Sequence, residues 1–275
     1  ITIRGDRTDR LFDSVPYRVA SGQWNGIYLL HSKDRPSPTY TLNHVDITSG
    51  TIGLYVWSES TDARPSLTFA NGRIHNQSMY GLIVQNTDAY VVNSEISNCA
   101  SFCVYLAGGE HRFVHNTIAS YFGYPYSNIN IHNGVYRDST AAVFINNINK
   151  DMAPTAASFH SCVIAGGQRN NLRVATPLPH FYEGTFSGNY IKGDSLPTAY
   201  AEHNVYGTDT DTIFRNIYYR IGEYRYYDFR LDSVSPARGI GDTLLIDNPH
   251  TDTLLLHDRL GKPRKPRPDA GCYEW

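Results

Sequence analysis

Apolar positions along this chain recur in a fixed phrase. The segments Leu42 to Ile47, Phe69 to Ile74, Val91 to Ile96 and Phe113 to Ile118 each place an apolar residue five positions before an isolated isoleucine. These anchors lie 27, 22 and 22 residues apart. Two positions before each anchor stand Val45, Gly72, Ser94 and Asn116, and small or Asn residues there suit a sharp turn through left-handed backbone space. A second apolar strand follows each anchor after a polar turn, with Leu54, Leu82 and Val104 keeping the same spacing to within a residue. Two independent markers thus share one repeat of about 22 residues, and no helical periodicity accompanies it. Such a period, with two or three short strands in each turn, predicts an all-β solenoid of stacked coils. Leucine-rich repeats share the period, but their Leu and Asn frame is absent. A β-sandwich gives many short strands without any reason to keep side chains in register.

Beyond Ile118 the register loosens. Phe159 to Ile164, Phe186 to Ile191 and Tyr200 to Val205 fit the phrase, but only 14 residues separate Ile191 from Val205, too few for a full coil. Either one of these two is misassigned or the solenoid is ending there. Between 119 and 160 an anchor fits equally at Asn133-Gly-Val135 or Asn146-Asn-Ile148, and the Tyr- and Pro-rich stretch from Tyr121 to Tyr126 reads as an insertion. Coils are expected over 1–217, and a terminal coil with a capping tail of the same domain over 218–275.

That tail carries a second signal. Asp228-Phe-Arg-Leu231, Ser235-Pro-Ala-Arg-Gly239, Gly261-Lys-Pro-Arg264 and Asp269-Ala-Gly-Cys-Tyr-Glu274 follow one another in an order that resembles the ending of secreted β-helix proteins of the choice-of-anchor Q type from Bacteroides-like bacteria. Cys272 stands where that family more often has Ala. The resemblance implies a single-stranded right-handed parallel β-helix with a C-terminal cap, located outside the cell, in the periplasm or anchored at the outer-membrane surface of a bacterium. It implies no particular chemistry, since such relatives include polysaccharide lyases and proteins without known activity. The strand-like start at Ile1 suggests that a lipoprotein signal and a capping element precede it.

Composition adds limits. Lys and Arg number 24 against 26 Asp and Glu, a net charge of −2, so no nucleic-acid partner is expected, and no run reaches the roughly 18 apolar residues of a membrane span. The basic stretch Arg259, Lys262, Arg264, Lys265 and Arg267 reads as a solvated cap. Cys99, Cys103, Cys162 and Cys272 are too scattered for a disulfide framework and are expected to be free thiols. His111 and His115, four apart on or beside a strand, do not converge on a metal and read as surface histidines. Neither metal nor cofactor is expected.

Nucleophile elbows, phosphate loops and dinucleotide fingerprints are missing from the sequence. Alternation points Gly53, Tyr55, Gly81, Ile83, Cys103 and Tyr105 outward from the second strand, with no carboxylate pair for glycoside hydrolysis. Glu59, Asp62, Asp88 and Glu110 fall in loops. Tyr55, Trp57 and Tyr105, with Asn128, Asn130 and His132 on one face of an alternating segment, suit contact with a polysaccharide or oligosaccharide. A lyase acting on a uronic-acid glycan would instead use Arg73, His75 and Tyr80, a cation and bases near one anchor. Against that, Asp46, Arg73 and Glu95 each precede an anchor, and their stacking predicts a structural charge ladder.

Overall fold

A computed structural model describes residues 1–7, 9–12, 15–16, 20–122, 140–149, 151–175, 184–217, 227–246 and 252–275. Three long parallel sheets wind around one interior, giving the right-handed parallel β-helix that the repeat and tail imply. Each coil runs from a strand of the third sheet through a strand of the first to one of the second. One such coil comprises Ser66–Ala70, Arg73–Gln77 and Tyr80–Gln85; the next comprises Asp88–Val92, Glu95–Cys99 and Phe102–Ala107.

The predicted columns exist. Ile47, Ile74, Ile96, Ile118, Ile164 and Ile191 pair rung by rung in the first sheet, and Leu54, Leu82, Val104 and Val143 do so in the second. A third column, Leu42, Phe69, Val91, Phe113, Phe159 and Phe186, lines the third sheet. From Ile47 to Ile164 the first column is wholly buried. Its continuity explains the period: rungs stack at about 4.8 Å, so each turn must return an apolar side chain to the same place.

Several details correct the sequence reading. The left-handed turn residue lies three positions before the anchor, at His44, Asn71, Asn93, His115, Ser161, Gly188 and His203, with φ between 48° and 65°. The residue two before the anchor instead builds a buried ladder. Asn116 Oδ1 accepts from Ser94 N at 2.9 Å, Asn189 Oδ1 from Cys162 N at 2.7 Å and Asn204 Oδ1 from Asn189 N at 2.9 Å. These bonds satisfy backbone groups that a turn would otherwise leave unpaired. Ile191 pairs with Tyr206, not Val205, and between Tyr190–Lys192 and Ala201–Glu202 the described chain has no strand in the second sheet, so this last coil is short. Ile148 is 56% exposed and is no anchor; the chain goes from Ile118 to Ile164 in one rung, while Val135 lies outside the described residues.

His111 and His115 are buried, not on the surface. His111 points inward in the row Leu67, Ala89, His111 and Ala157, and neither of its ring nitrogens has a hydrogen-bond partner among the described residues. Burial lowers its pKa to about 4, outweighing the nearby Asp88 carboxylate. The unfolded chain therefore takes up a proton at His111 near pH 6.5 and the folded protein only near 4, so stability is full above about 6.5 and falls as the pH drops through that window. The expected loss is about 3 kcal/mol. Denaturant unfolding at pH 7 and pH 4.5 checks this: His111→Leu, which copies Leu67 in the same row, should reduce the difference, with the other buried histidines keeping the remainder, and an unchanged slope would refute it.

The C-terminal segment 252–275, called the strap below, does not sit free in solvent. Arg264 is fully buried against Glu274 at 3.2 Å, and Arg259 Nε donates to Gly72 O at 2.9 Å, whereas Lys262, Lys265 and Arg267 remain exposed. A second apolar cluster of Val163, Ala165, Tyr190, Phe214, Phe229, Ala270, Cys272 and Tyr273 seals this C-terminal part onto the outer face of the first sheet. All four cysteines are free and buried.

Candidate functional site

The outer face of the second sheet carries two groups of aromatic rings, with Ile83 between them. One outward row reads Tyr28, Tyr55, Ile83, Tyr105, Phe144 and Arg173; the row beside it reads Leu30, Trp57, Gln85, Ala107, Asn146 and Ala175. Neither row holds an acidic residue. Tyr28 is 44% exposed and Leu30 60%, and Tyr55, Trp57, Tyr105 and Phe144 are half-buried.

Alternation places Tyr55 and Tyr105 correctly but fails at the corner where the chain enters this sheet. Gly53, Gly81 and Cys103 turn inward there, directly beside the inward Leu54, Leu82 and Val104. A Cβ on Gly53 would lie 2.2 Å from the Ile74 side chain, and one on Gly81 would lie 2.8 Å from that of Ile96, so a larger residue has no room. Cys103 is wholly buried. In consequence Tyr80 and Phe102 join the outer surface. Phe102 stacks on Phe144 at 5.0 Å and on Tyr80 at 6.1 Å, while Tyr105 meets Phe144 at 5.5 Å and Tyr80 edge-on at 6.3 Å. Tyr28 meets Tyr55 edge-on at 5.8 Å. Sequence reasoning missed Phe102 and Phe144, whose signal was their position two before and one after an inward aliphatic residue.

Amides sit among the rings. Tyr55 OH donates to Gln85 Oε1 at 2.5 Å, and Asn146 Nδ2 donates to Tyr105 OH at 2.8 Å. Burial raises the Tyr55 pKa, helped by Tyr105 and Tyr28, so this phenol stays neutral and serves as a hydrogen-bonding group rather than a base. Asn128, Asn130 and His132 lie outside the described residues.

Arg73 and His75 lie on a different face. They project from the first sheet, where Asp46, Arg73 and Glu95 occupy adjacent rungs. Arg73 Nε is 3.5 Å from Asp46 Oδ2, its guanidinium is 2.7 Å from His75 Nε2, and that nitrogen is 3.0 Å from Asp46 Oδ1. His75 Nδ1 faces Thr48 Oγ1 at 3.4 Å. Burial lowers the His75 pKa more than its hydrogen bond to Asp46 raises it, so the ring is neutral. Glu95 is taken up by Ser97 Oγ at 2.7 Å and by the strap's Tyr273 OH at 2.5 Å. Tyr80 belongs to the aromatic cluster and does not join this group. Because the Arg73 and Asp46 side chains remain about one-third exposed, Arg73→Ala should change stability by only about 0–1 kcal/mol. Unfolding at low and high salt checks this, and a larger or salt-independent loss would contradict it. Of the four acids expected in loops, Asp88 and Glu110 instead lie in strands of the third sheet, Asp88–Val92 and Gly109–Val114; Asp88 is held by Arg64 at 2.8 Å, and Glu59 lies 3.8 Å from Lys33.

Among the described residues no group of three or more His, Cys, Asp or Glu is placed to hold a metal. No described helix is long and apolar enough to cross a membrane.

No protein-family model and no curated protein matches this chain. Among solved structures, the crystal structure of a pectate lyase overlaps it with a TM-score of 0.32 and 15% identity, over 94% of this chain and 85% of that one.

Proposed function

We propose that this is an exported bacterial surface or envelope protein that binds a polysaccharide or oligosaccharide along the outer face of its second sheet, without turning it over. The observation that carries the reading is the six-ring surface of Tyr28, Tyr55, Tyr80, Phe102, Tyr105 and Phe144, interleaved with Gln85 and Asn146. Flat rings offer contact to the apolar face of a pyranose, and amides beside them offer donors and acceptors to its hydroxyls. Export rests on the likeness of the tail to secreted β-helix proteins.

The same face has no acidic residue in its two outward rows, which supports binding without hydrolysis. The lyase alternative has Arg73 and His75 at hand, but both side chains are engaged with Asp46, and Tyr80 stands on the other sheet.

A glycan array followed by calorimetry tests the proposal. Tyr105→Ala should weaken binding about tenfold or more, a loss of about 1.4 kcal/mol, while unfolding stays cooperative. Absence of binding at millimolar glycan would refute the reading. Release of unsaturated uronic products by the wild type, detected by absorbance and lost in Arg73→Ala, would replace it with the lyase.

A further inference from the structure

The strap, residues 252–275, lies along the corner between the third and first sheets, where successive rungs present their left-handed residues Asn93, His115 and Ser161. Both neighbours of His115 in this row are tied to the strap. Asn93 donates to His257 O at 2.9 Å and accepts from Arg264 at 2.7 Å; Ser161 O accepts from Gly271 N at 2.7 Å. Between them, His115 is wholly buried; the strap's backbone at Asp269 and Gly271 approaches the ring, but neither ring nitrogen makes a well-aligned hydrogen bond among the described residues. An ionisable ring therefore occupies the middle of a docking row, under a buried arginine.

We propose that the strap is an acid-released latch: protonation of His115 beneath it, beside Arg264, opens residues 252–275 and uncovers the outer face of the first sheet at Glu95 and Thr117. The charges that bear on His115 are Arg264 from the strap and His160 from the next rung, and both oppose its protonation, as burial does more strongly. Backbone groups of Asp269 and Gly271 act the other way and are outweighed. When the strap is open, His115 is solvated and titrates normally, so acid favours the open form. Glu274, the partner of Arg264, is itself pushed up by burial and takes up a proton with the strap closed, which opposes opening. That contribution is common to wild type and His115 variants and cancels between them. Opening breaks the bonds of Tyr273 to Glu95 and of Cys272 N to Thr117 Oγ1 but leaves the three coil columns intact.

Hydrogen exchange followed by mass spectrometry at pH 7.5, 6.5 and 5.5, corrected for intrinsic rates, tests the latch. The opening equilibrium of the 252–275 peptides should rise by up to about tenfold per pH unit below 6.5, while the Glu95–Ala107 peptides keep their protection. His115→Asn should abolish the rise, because Asn already fills the equivalent corner at Asn71 and Asn93 and tolerates positive φ. Equal pH dependence in wild type and variant would overturn the proposal, as would simultaneous loss of protection in strap and coils. Should the variant fail to fold, an NMR titration of His115 in the wild type decides: a midpoint well below 6.5 supports the latch, and an ordinary midpoint overturns it.

Discussion

Replacing Arg264 by alanine should destabilise the protein by about 3–5 kcal/mol, the usual cost of stripping one partner from a buried ion pair. Both side chains of the Arg264–Glu274 pair are fully buried. The guanidinium also donates to Asn93 Oδ1 and, at 3.1 Å, to Gly271 O, so it joins the coil corner to the C-terminal end of the strap. Truncation leaves the Glu274 carboxylate in a dry site with its cation gone. The pair is expensive to break but not costly to replace: an Arg264→Met, Glu274→Leu double variant should lose much less than Arg264→Ala alone. Chemical denaturation of the three proteins checks this, and a loss under 1 kcal/mol for Arg264→Ala would show that water reaches the pair when the arginine is removed.

This arginine also shows where sequence reading stopped. Its partners are Glu274 and Asn93, 10 and 171 positions away, and nothing in a run of basic residues among prolines distinguishes the buried member from its exposed neighbours. The coils were legible because each rung must return an apolar residue to the interior, which writes Ile47, Ile74, Ile96 and Ile118 into the chain at one period. Turn residues were legible only in kind. Histidine, asparagine, serine and glycine all serve at the left-handed corner, so composition could not fix it to three rather than two positions before the anchor. At the entrance to the second sheet two consecutive residues face inward, and strict alternation put Gly53, Gly81 and Cys103 on the wrong side. The aromatic face was consequently half visible: Tyr55 and Tyr105 follow from alternation, while Phe102 and Phe144 required the rung pairing. For the same reason Tyr80 was grouped with Arg73 and His75, although a sheet corner separates them.

Phe113→Ala should cost about 3–5 kcal/mol, the range for emptying a large buried aromatic site. Phe113 is wholly buried and stacks on Phe159 at 4.7 Å with the planes 13° apart; Phe159 stacks on Phe186 at 5.4 Å and 6°. The ring thus supports one face of a three-ring stack that spans consecutive rungs of the third sheet. Backbone ladders on both sides hold the rungs at fixed spacing, so the space left by the ring has little freedom to collapse. Val91, on the rung before, shows that the column accepts a smaller side chain when its surroundings fit it. Phe113→Leu should therefore lose only part of what Phe113→Ala loses. Since a coil touches only its neighbours, the damage should spread along the stack to Phe159 and Phe186 before it reaches the aromatic face of the second sheet. Denaturant unfolding measures the total, and hydrogen exchange locates it. A loss below 1 kcal/mol, or one equal for the alanine and leucine variants, would mean that the stack is not the packing unit described.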